Sequence, residues 1–450
     1  MRVLWLVLAA CGTAHHVFPP DAASDARGDG DAPLAWGERC GNGLDDDGDG
    51  LVDEDCTPSL FAGVFAPGVA ADPALAQLEA AIGRPLSVVQ TYRSLNSDAI
   101  GDDVTAIVAR GFVAHLNVEP AGYTAADYAA PAADPIAGDV RTMAAQLATA
   151  LADHPGRVIV TFGAEMNGSW TDWGCLPAAT YIALYRAAHD AVAAALAGAG
   201  VDARRVRWAY GPNATSSASC GSPAGYYPGH AYVDLLGMSA YRSTTESVGT
   251  TIVAPMTALF DALGYPDAWR QRRFVVLQTG ARASADRDAW LTSLVQTATA
   301  DPRIAGLVYF DADTWAIAPG AFTAALAAAP PADRALDGIF APYFWDVPYD
   351  HPAFAEIQGL RDAGVTSGCA SDPPRFCPDD PVRAADAEAL LARAFAGAQV
   401  SLADPVTEPA LAGALASLGA APPAANPAIA TRARAAVLIA RAARLAPTPF

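Results

Sequence analysis

Eight times between residues 60 and 330 a short apolar run of β character gives way to a longer segment of helical periodicity. The runs are Phe61–Pro67, Ser87–Tyr92, Val113–Glu119, Val158–Glu165, Val206–Asn213, Val233–Tyr241, Phe274–Gly280 and Ile304–Asp311. Helical patterns fill most of the gaps, most clearly at Val140–His154, Ala178–Ala197, Pro255–Leu263, Trp290–Thr299 and Ala321–Ala329. Pro255 suits the start of a helix, where its missing N–H costs nothing. Strict alternation of this kind matches an α/β fold of the (β/α)8, or TIM-barrel, type. In that fold, polar groups at the C-terminal ends of the strands share one mouth. Here those ends carry Asn117 and Glu119, Glu165, Asn213, Tyr241, Gln278, and then Asp311 and Asp313.

Composition narrows the class of partner. With 52% apolar and 17% charged residues, the chain can bury a sizeable core and is not a disordered polymer. The net charge is 28 − 48 = −20, and every basic residue is Arg. Such a chain repels phosphate backbones and anionic lipid surfaces, so no nucleic-acid partner is expected. The charge is concentrated. Asp21 to Cys56 holds 12 acids and two Arg, a net of −10, which points to a local cation site.

Arg2 precedes the apolar run Val3 to Ala10, a pattern of export signals and too short to cross a bilayer. Its end, Leu8-Ala9-Ala10-Cys11, resembles the bacterial lipobox. That resemblance implies cleavage before Cys11, lipidation of its thiol, and a membrane anchor on an exported cell-envelope protein. Gly12 after the cysteine, unlike Asp, does not suggest inner-membrane retention, so the outer membrane or cell surface is the expected site. Six of the seven cysteines then remain. Export permits disulfides, and six cysteines allow many connectivities. Proximity favours Cys40–Cys56, Cys175–Cys220 and Cys369–Cys377.

Between Cys40 and Cys56, the residues Asp45, Asp47, Asp49 and Asp53 stand at relative positions 1, 3, 5 and 9, with Gly50 at 6. An EF-hand uses this spacing because alternate oxygens converge on one hard cation and glycine permits the sharp turn. Position 12 is Cys56 and not a bidentate Glu. The segment resembles the short Asp repeats of secreted bacterial proteins, with structural Ca2+ as the expected ion. A solvated acidic linker is the plainer alternative. Residues 12–36 read as a tether.

The segment Val-Ile-Val-Thr-Phe-Gly-Ala-Glu165-Met-Asn-Gly-Ser-Trp170-Thr-Asp-Trp173-Gly resembles the acid/base signature of glycoside hydrolase family 26. Further matches follow in order: Asn-Val-Glu119-Pro120, Trp-Ala-Tyr-Gly-Pro-Asn213, Tyr226-Tyr227-Pro228-Gly229 leading into Val233 to Tyr241, and Phe274-Val-Val-Leu-Gln278-Thr-Gly280. The resemblance implies a barrel over 59–330 that acts on or binds a β-linked polysaccharide, β-mannan first, with no catalytic cofactor. It makes Glu165 the general acid/base. Glu119, Trp170, Trp173, Asn213, Tyr241 and Trp315 become the sugar-binding groups. A retaining glycosidase needs a second carboxylate about 5–5.5 Å away to attack the anomeric carbon.

Two positions depart from the family. Gln278 stands where the family has its nucleophilic Glu, and Ala164 stands where it has His. An amide cannot ionise, so turnover is expected to be weak or absent while sugar binding survives. The alternative is a non-catalytic glycan-binding lipoprotein. A substitute carboxylate is sought first at Glu119, then at Asp311, Asp313 and Glu246. His189 is expected on a helix surface.

After Pro330-Pro331, residues 336–396 resemble an S-layer homology repeat and 397–446 a weaker second copy. The family's Thr-Arg-Ala-Glu motif is partly kept, as Arg383-Ala384-Ala385-Asp386 and Thr431-Arg432-Ala433-Arg434. The resemblance implies cell-envelope polysaccharide as a partner. A small helical packing domain is the alternative.

Overall fold

The computed structural model describes residues 60–65, 68, 86–264, 274–301, 303–316, 343–348, 351–371, 374–422 and 424–445. The proposed anchor at Cys11, the tether, the 37–58 module with Asp45, Asp47, Asp49, Asp53 and Cys40–Cys56, and the helix expected at Ala321–Ala329 lie outside these residues. No described helix is long and apolar enough to cross a membrane.

Eight parallel strands close a barrel in chain order. They are β1 (Phe61–Phe65), β2 (Val88–Ser94), β3 (Val113–Glu119), β4 (Val158–Phe162), β5 (Val206–Tyr210), β6 (Leu235–Arg242), β7 (Phe274–Ala281) and β8 (Ile304–Phe310). Around them run α1 (Ile100–Val108), α2 (Ala125–Ala129), α3 (Ile136–Asp153), α4 (Ala178–Gly198), α5 (Ala254–Leu263) and α6 (Arg287–Ala300). The expected span of β3 is reproduced. β4 and β5 stop three residues early. In the first case Gly163 and Glu165 take positive φ, which ends the extended backbone.

Strand side chains alternate between two apolar layers. Phe61, Val88, Val113, Ile159, Leu235, Val275 and Val308 fill the barrel interior. Val64, Val89, Leu116, Val160, Leu236, Val276 and Leu307 face the helices. The helices answer with spaced apolar residues, as in α6 with Trp290, Leu291, Leu294, Val295 and Ala298. Gly306 admits Phe61 against the backbone, since a Cβ there would lie 2.3 Å from the ring.

The C-terminal segment forms a second apolar core. It contains α7 (Phe354–Asp362), a small hairpin of β9 (Ala370–Ser371) and β10 (Pro374–Arg375), α8 (Ala384–Ala394), α9 (Glu408–Ser417) and α10 (Arg432–Ala443). The two degenerate motifs open α8 and α10. Thr431 caps α10 by accepting the Arg434 N–H. Motif charges bind within the segment: Arg432 meets Asp386 at 3.3 Å and Arg434 meets Glu408 at 2.9 Å. Cys369–Cys377 closes the hairpin loop. Arg204 reaches Asp362 at 3.2 Å, and His230 packs on Trp345 with ring centres 4.1 Å apart. Both barrel residues precede strands, so the described part of this segment rests against the N-terminal face, opposite the mouth.

Candidate functional site

The mouth is built in layers above the apolar interior. The first is polar and buried: Gln90 on β2, His115 on β3 and Thr161 on β4. Gln90 Nε2 meets His115 Nδ1 at 3.1 Å, and His115 Nε2 meets Thr161 Oγ1 at 2.8 Å. Burial lowers the His115 pKa to about 3, so the ring is neutral. Above this layer stand Asn117, Ser239, Gln278, Tyr241, Glu119 and Glu165.

Glu165 is not on a strand. It sits in the turn after β4 at φ 60°, a left-handed backbone that costs a non-glycine residue about 1 kcal/mol or more. The Trp170 indole N–H donates to Glu165 Oε2 at 2.6 Å. Trp170 is 54% exposed, and its ring crosses Gly168 where a Cβ would lie 2.2 Å away. The carboxylate therefore has one oxygen fixed, and an aromatic face stands beside it.

Trp173 was expected to offer a second sugar face, and its surroundings do not allow that. It is 5% exposed, donates to the Ala164 carbonyl at 2.7 Å, and packs under Gly163. Its bulk shapes the turn that presents Glu165. Trp315, on the short turn after β8, packs on Gly280 with its ring centre 4.9 Å from that of Tyr241. Arg282 lies 5.5 Å from the same ring. Phe65, Phe310 and Tyr92 complete an aromatic wall, with the two Phe rings stacked at 4.8 Å.

Gln278 is 5% exposed and faces the mouth. Simple alternation along β7 would turn it outward with Phe274 and Val276. Met238 pairs with Val276 but Ser239 pairs with Gln278, so Leu277 is an extra residue. The same irregularity interrupts the pairing with β8. A bulge re-aims the side chains beyond it, which brings residue 278 inside. There its Oε1 accepts from the Tyr241 hydroxyl at 3.2 Å, and its Nε2 donates to Asn117 Oδ1 at 3.4 Å. Asn117 Nδ2 and Ser239 Oγ, both buried, have no hydrogen-bond partner among the described residues. Burial and the field of Glu165 push the Tyr241 phenol well up, so it remains a donor.

Glu119 ends β3, whose pairing with β4 runs to Val118–Phe162. It therefore approaches from the same side as Glu165, one strand away, while Gln278 and Tyr241 come from β7 and β6. That placement does not put Glu119 where a replacement nucleophile opposite the acid would stand. Burial, then the field of Glu165, raises its carboxyl pKa. A carboxyl raised on folding binds its proton more tightly in the folded chain, so its ionisation lowers stability as pH rises above about 4.3. Glu119→Gln should thus melt higher than wild type at pH 7, with the gap closing below about pH 4. Thermal melts across that range check this, and a variant that melts lower at pH 7 contradicts it.

Glu246 accepts from the Thr244 N–H and hydroxyl and closes its own turn. The Asp311 N–H donates to the Phe65 carbonyl at 2.7 Å, which ties the end of β8 to β1. His189 lies on α4 between Trp208 and Tyr232 and pairs with Asp190.

Asn213 lies past β5 and pairs with Ser239 as an isolated bridge. Its Oδ1 accepts from Thr215 N, so the side chain shapes its loop. Buried Asn167 ties that loop to the Glu165 turn. Its Nδ2 donates to Asn213 O at 2.8 Å and to Ser216 Oγ at 2.9 Å, and its Oδ1 accepts Asn213 N–H at 2.8 Å. Cys175–Cys220 joins the same two loops. Gln90, His115, Asn167 and Ser239 were not singled out from sequence. The signal present was polar residues at inward positions of otherwise apolar strands.

Among the described residues, one trio of potential metal ligands lies close together, Asp346 with Cys369 and Cys377. The two sulfurs are joined to each other, and Asp346 accepts the N–H groups of Phe376 and Cys377. This is a loop staple and offers no ion its ligands.

Residues 125–267 match the glycosyl hydrolase family 26 profile, a span from α2 to just beyond α5 that contains Glu165 and Tyr241. Among solved structures, the Bacillus subtilis mannanase BCman is 17% identical, over 61% of this chain and 86% of that one, with a TM-score of 0.45. A Cellulomonas fimi endo-beta-1,4-mannanase double mutant is 17% identical, over 61% of this chain and 72% of that one, with a TM-score of 0.47. No curated protein matches.

Proposed function

We propose that the mouth binds a β-linked polysaccharide, of β-mannan type in the first instance, and turns it over weakly or not at all. One observation carries this reading: a neutral, hydrogen-bonded amide, Gln278, occupies the wall across from Glu165. In a retaining mechanism Glu165 would protonate the leaving oxygen while the group at 278 attacked the anomeric carbon. An amide offers hydrogen bonds to a sugar and no competent lone pair for that attack. Trp170 and Trp315 give apolar faces for sugar rings, and Glu119, Tyr241 and the Asn213 loop give polar contacts around them.

Calorimetric titration of the full chain with mannan, glucomannan, xylan and mixed-linkage glucan oligosaccharides tests the reading. Binding to at least one is expected, and Trp170→Ala should weaken it roughly three- to tenfold. Absence of binding to every β-glycan removes the proposal.

The same proposal carries the expectations outside the described residues. Export and a lipid at Cys11 rest on the N-terminal pattern, and fatty-acyl labelling of the expressed protein decides them. Calcium at Asp45, Asp47, Asp49 and Asp53 rests on spacing, and calcium titration decides it. Envelope-polysaccharide binding by the C-terminal repeats is the weaker part, because Asp386, Arg432 and Arg434 are engaged within the segment.

A further inference from the structure

The bulge that aims residue 278 needs something to hold it, because an extra residue leaves the regular ladder. The carbonyl of that extra residue, Leu277, accepts a hydrogen bond from Gln90 Nε2 at 3.0 Å. Gln90 comes from β2, 187 residues away in the chain, and is wholly buried. Its other contacts fix the orientation of the amide. Oε1 accepts from the Tyr92 hydroxyl at 3.3 Å, and the second Nε2 hydrogen points to His115 Nδ1. His115 Nδ1 must then accept, which places the ring proton on Nε2, facing Thr161 Oγ1 at 2.8 Å. Gln90 is thus locked from both sides, with each polar atom engaged. A protonated His115 would set N–H against N–H, and burial keeps the ring neutral far below neutral pH. The lock therefore does not open over the physiological range.

We propose that Gln90 is the positioning residue for the side chain at 278, because its bond to the Leu277 carbonyl holds the β7 bulge that turns residue 278 into the mouth. Gln90 touches no sugar in this scheme. It acts through the backbone beneath Gln278. The consequence for glycan rests on the function proposed above, while the consequence for Gln278 itself does not.

The test uses the full chain labelled with 15N and two readouts. The side-chain amide signals of Gln278 are identified by their loss in Gln278→Glu. In Gln90→Met, which keeps the volume and removes the hydrogen bonds, those signals should shift or broaden, and affinity for the best glycan should fall about tenfold or more. Thr161→Val, at the far end of the relay, should leave the Gln278 signals nearly in place. If Gln90→Met does not fold, Gln90→Asn keeps the amide but falls one methylene short of the Leu277 carbonyl, and the same shifts are expected. Unchanged Gln278 signals in a folded variant overturn the proposal. Shifted signals in a protein that binds no glycan support the positioning role and remove the glycan-binding reading alone.

Discussion

Gln278→Glu should convert the mouth into a hydrolytic site, with the rate on the best-bound β-glycan rising at least about a thousandfold. The surroundings of residue 278 are suited to an acceptor. The Tyr241 hydroxyl already donates there. Asn117 Nδ2 and Ser239 Oγ are buried without partners among the described residues. A buried donor without a partner costs about 1–3 kcal/mol, so a carboxylate at 278 would relieve a penalty that the amide leaves in place. Turning the Asn117 amide over would present Nδ2 to the new carboxylate in place of Oδ1. Across the mouth, Glu165 keeps its indole donor and is free to act as the acid. Reducing-sugar release by wild type, Gln278→Glu and the double variant Gln278→Glu/Glu165→Gln measures this. The single variant should cut and the double variant should not. Glycan bound but uncut by Gln278→Glu would show that the missing group is not the nucleophile. Ala164, where the resembled family carries His, would then be the next residue to restore.

Asn167→Leu should be the most damaging single change to the mouth that leaves the barrel core alone. The substitution removes three side-chain hydrogen bonds and leaves the half-buried Asn213 N–H and C=O and the exposed Ser216 Oγ without those partners. Three bonds at about 1 kcal/mol each amount to a loss of about 3 kcal/mol. For a chain of this size that lowers the melting temperature by roughly 3 °C. Glycan affinity should fall with it, because Trp170 and Asn213 sit on the two loops that Asn167 joins. Asn167→Asp keeps the acceptor for the Asn213 N–H but sets a second acceptor against the Asn213 carbonyl, so it should not recover the loss. Thermal melts beside glycan titrations check both effects. A stable Asn167→Leu protein with full affinity would mean that Cys175–Cys220 alone sets the loops.

The strand–helix rhythm was legible because it is local. Apolar β-type runs such as Val113–Glu119 and helical spacing such as that of Ala178–Ala197 are written in neighbouring residues. Cys175–Cys220 and Cys369–Cys377 were legible by proximity within one segment. Glu165 and Gln278 were legible through the motifs around them. Trp173 was misjudged because sequence gives a tryptophan its chemistry and not its exposure. Two tryptophans three apart in one loop met opposite fates, one beside Glu165 with its face open and one beneath Gly163.

By itself, then, the sequence determined an eight-stranded α/β barrel, the order of its polar strand ends, and a neutral amide at 278. Tertiary structure alone decided which way those groups face. Leu277 looks like any apolar strand residue until its neighbours on β6 and β8 are paired, and only then does it emerge as the extra residue that turns Gln278 inward. Gln90 and His115 look like isolated polar residues in apolar strands until barrel closure brings β2, β3 and β7 together. Hydrogen-bond register and barrel closure are properties of chain segments far apart in sequence, so no local pattern records them.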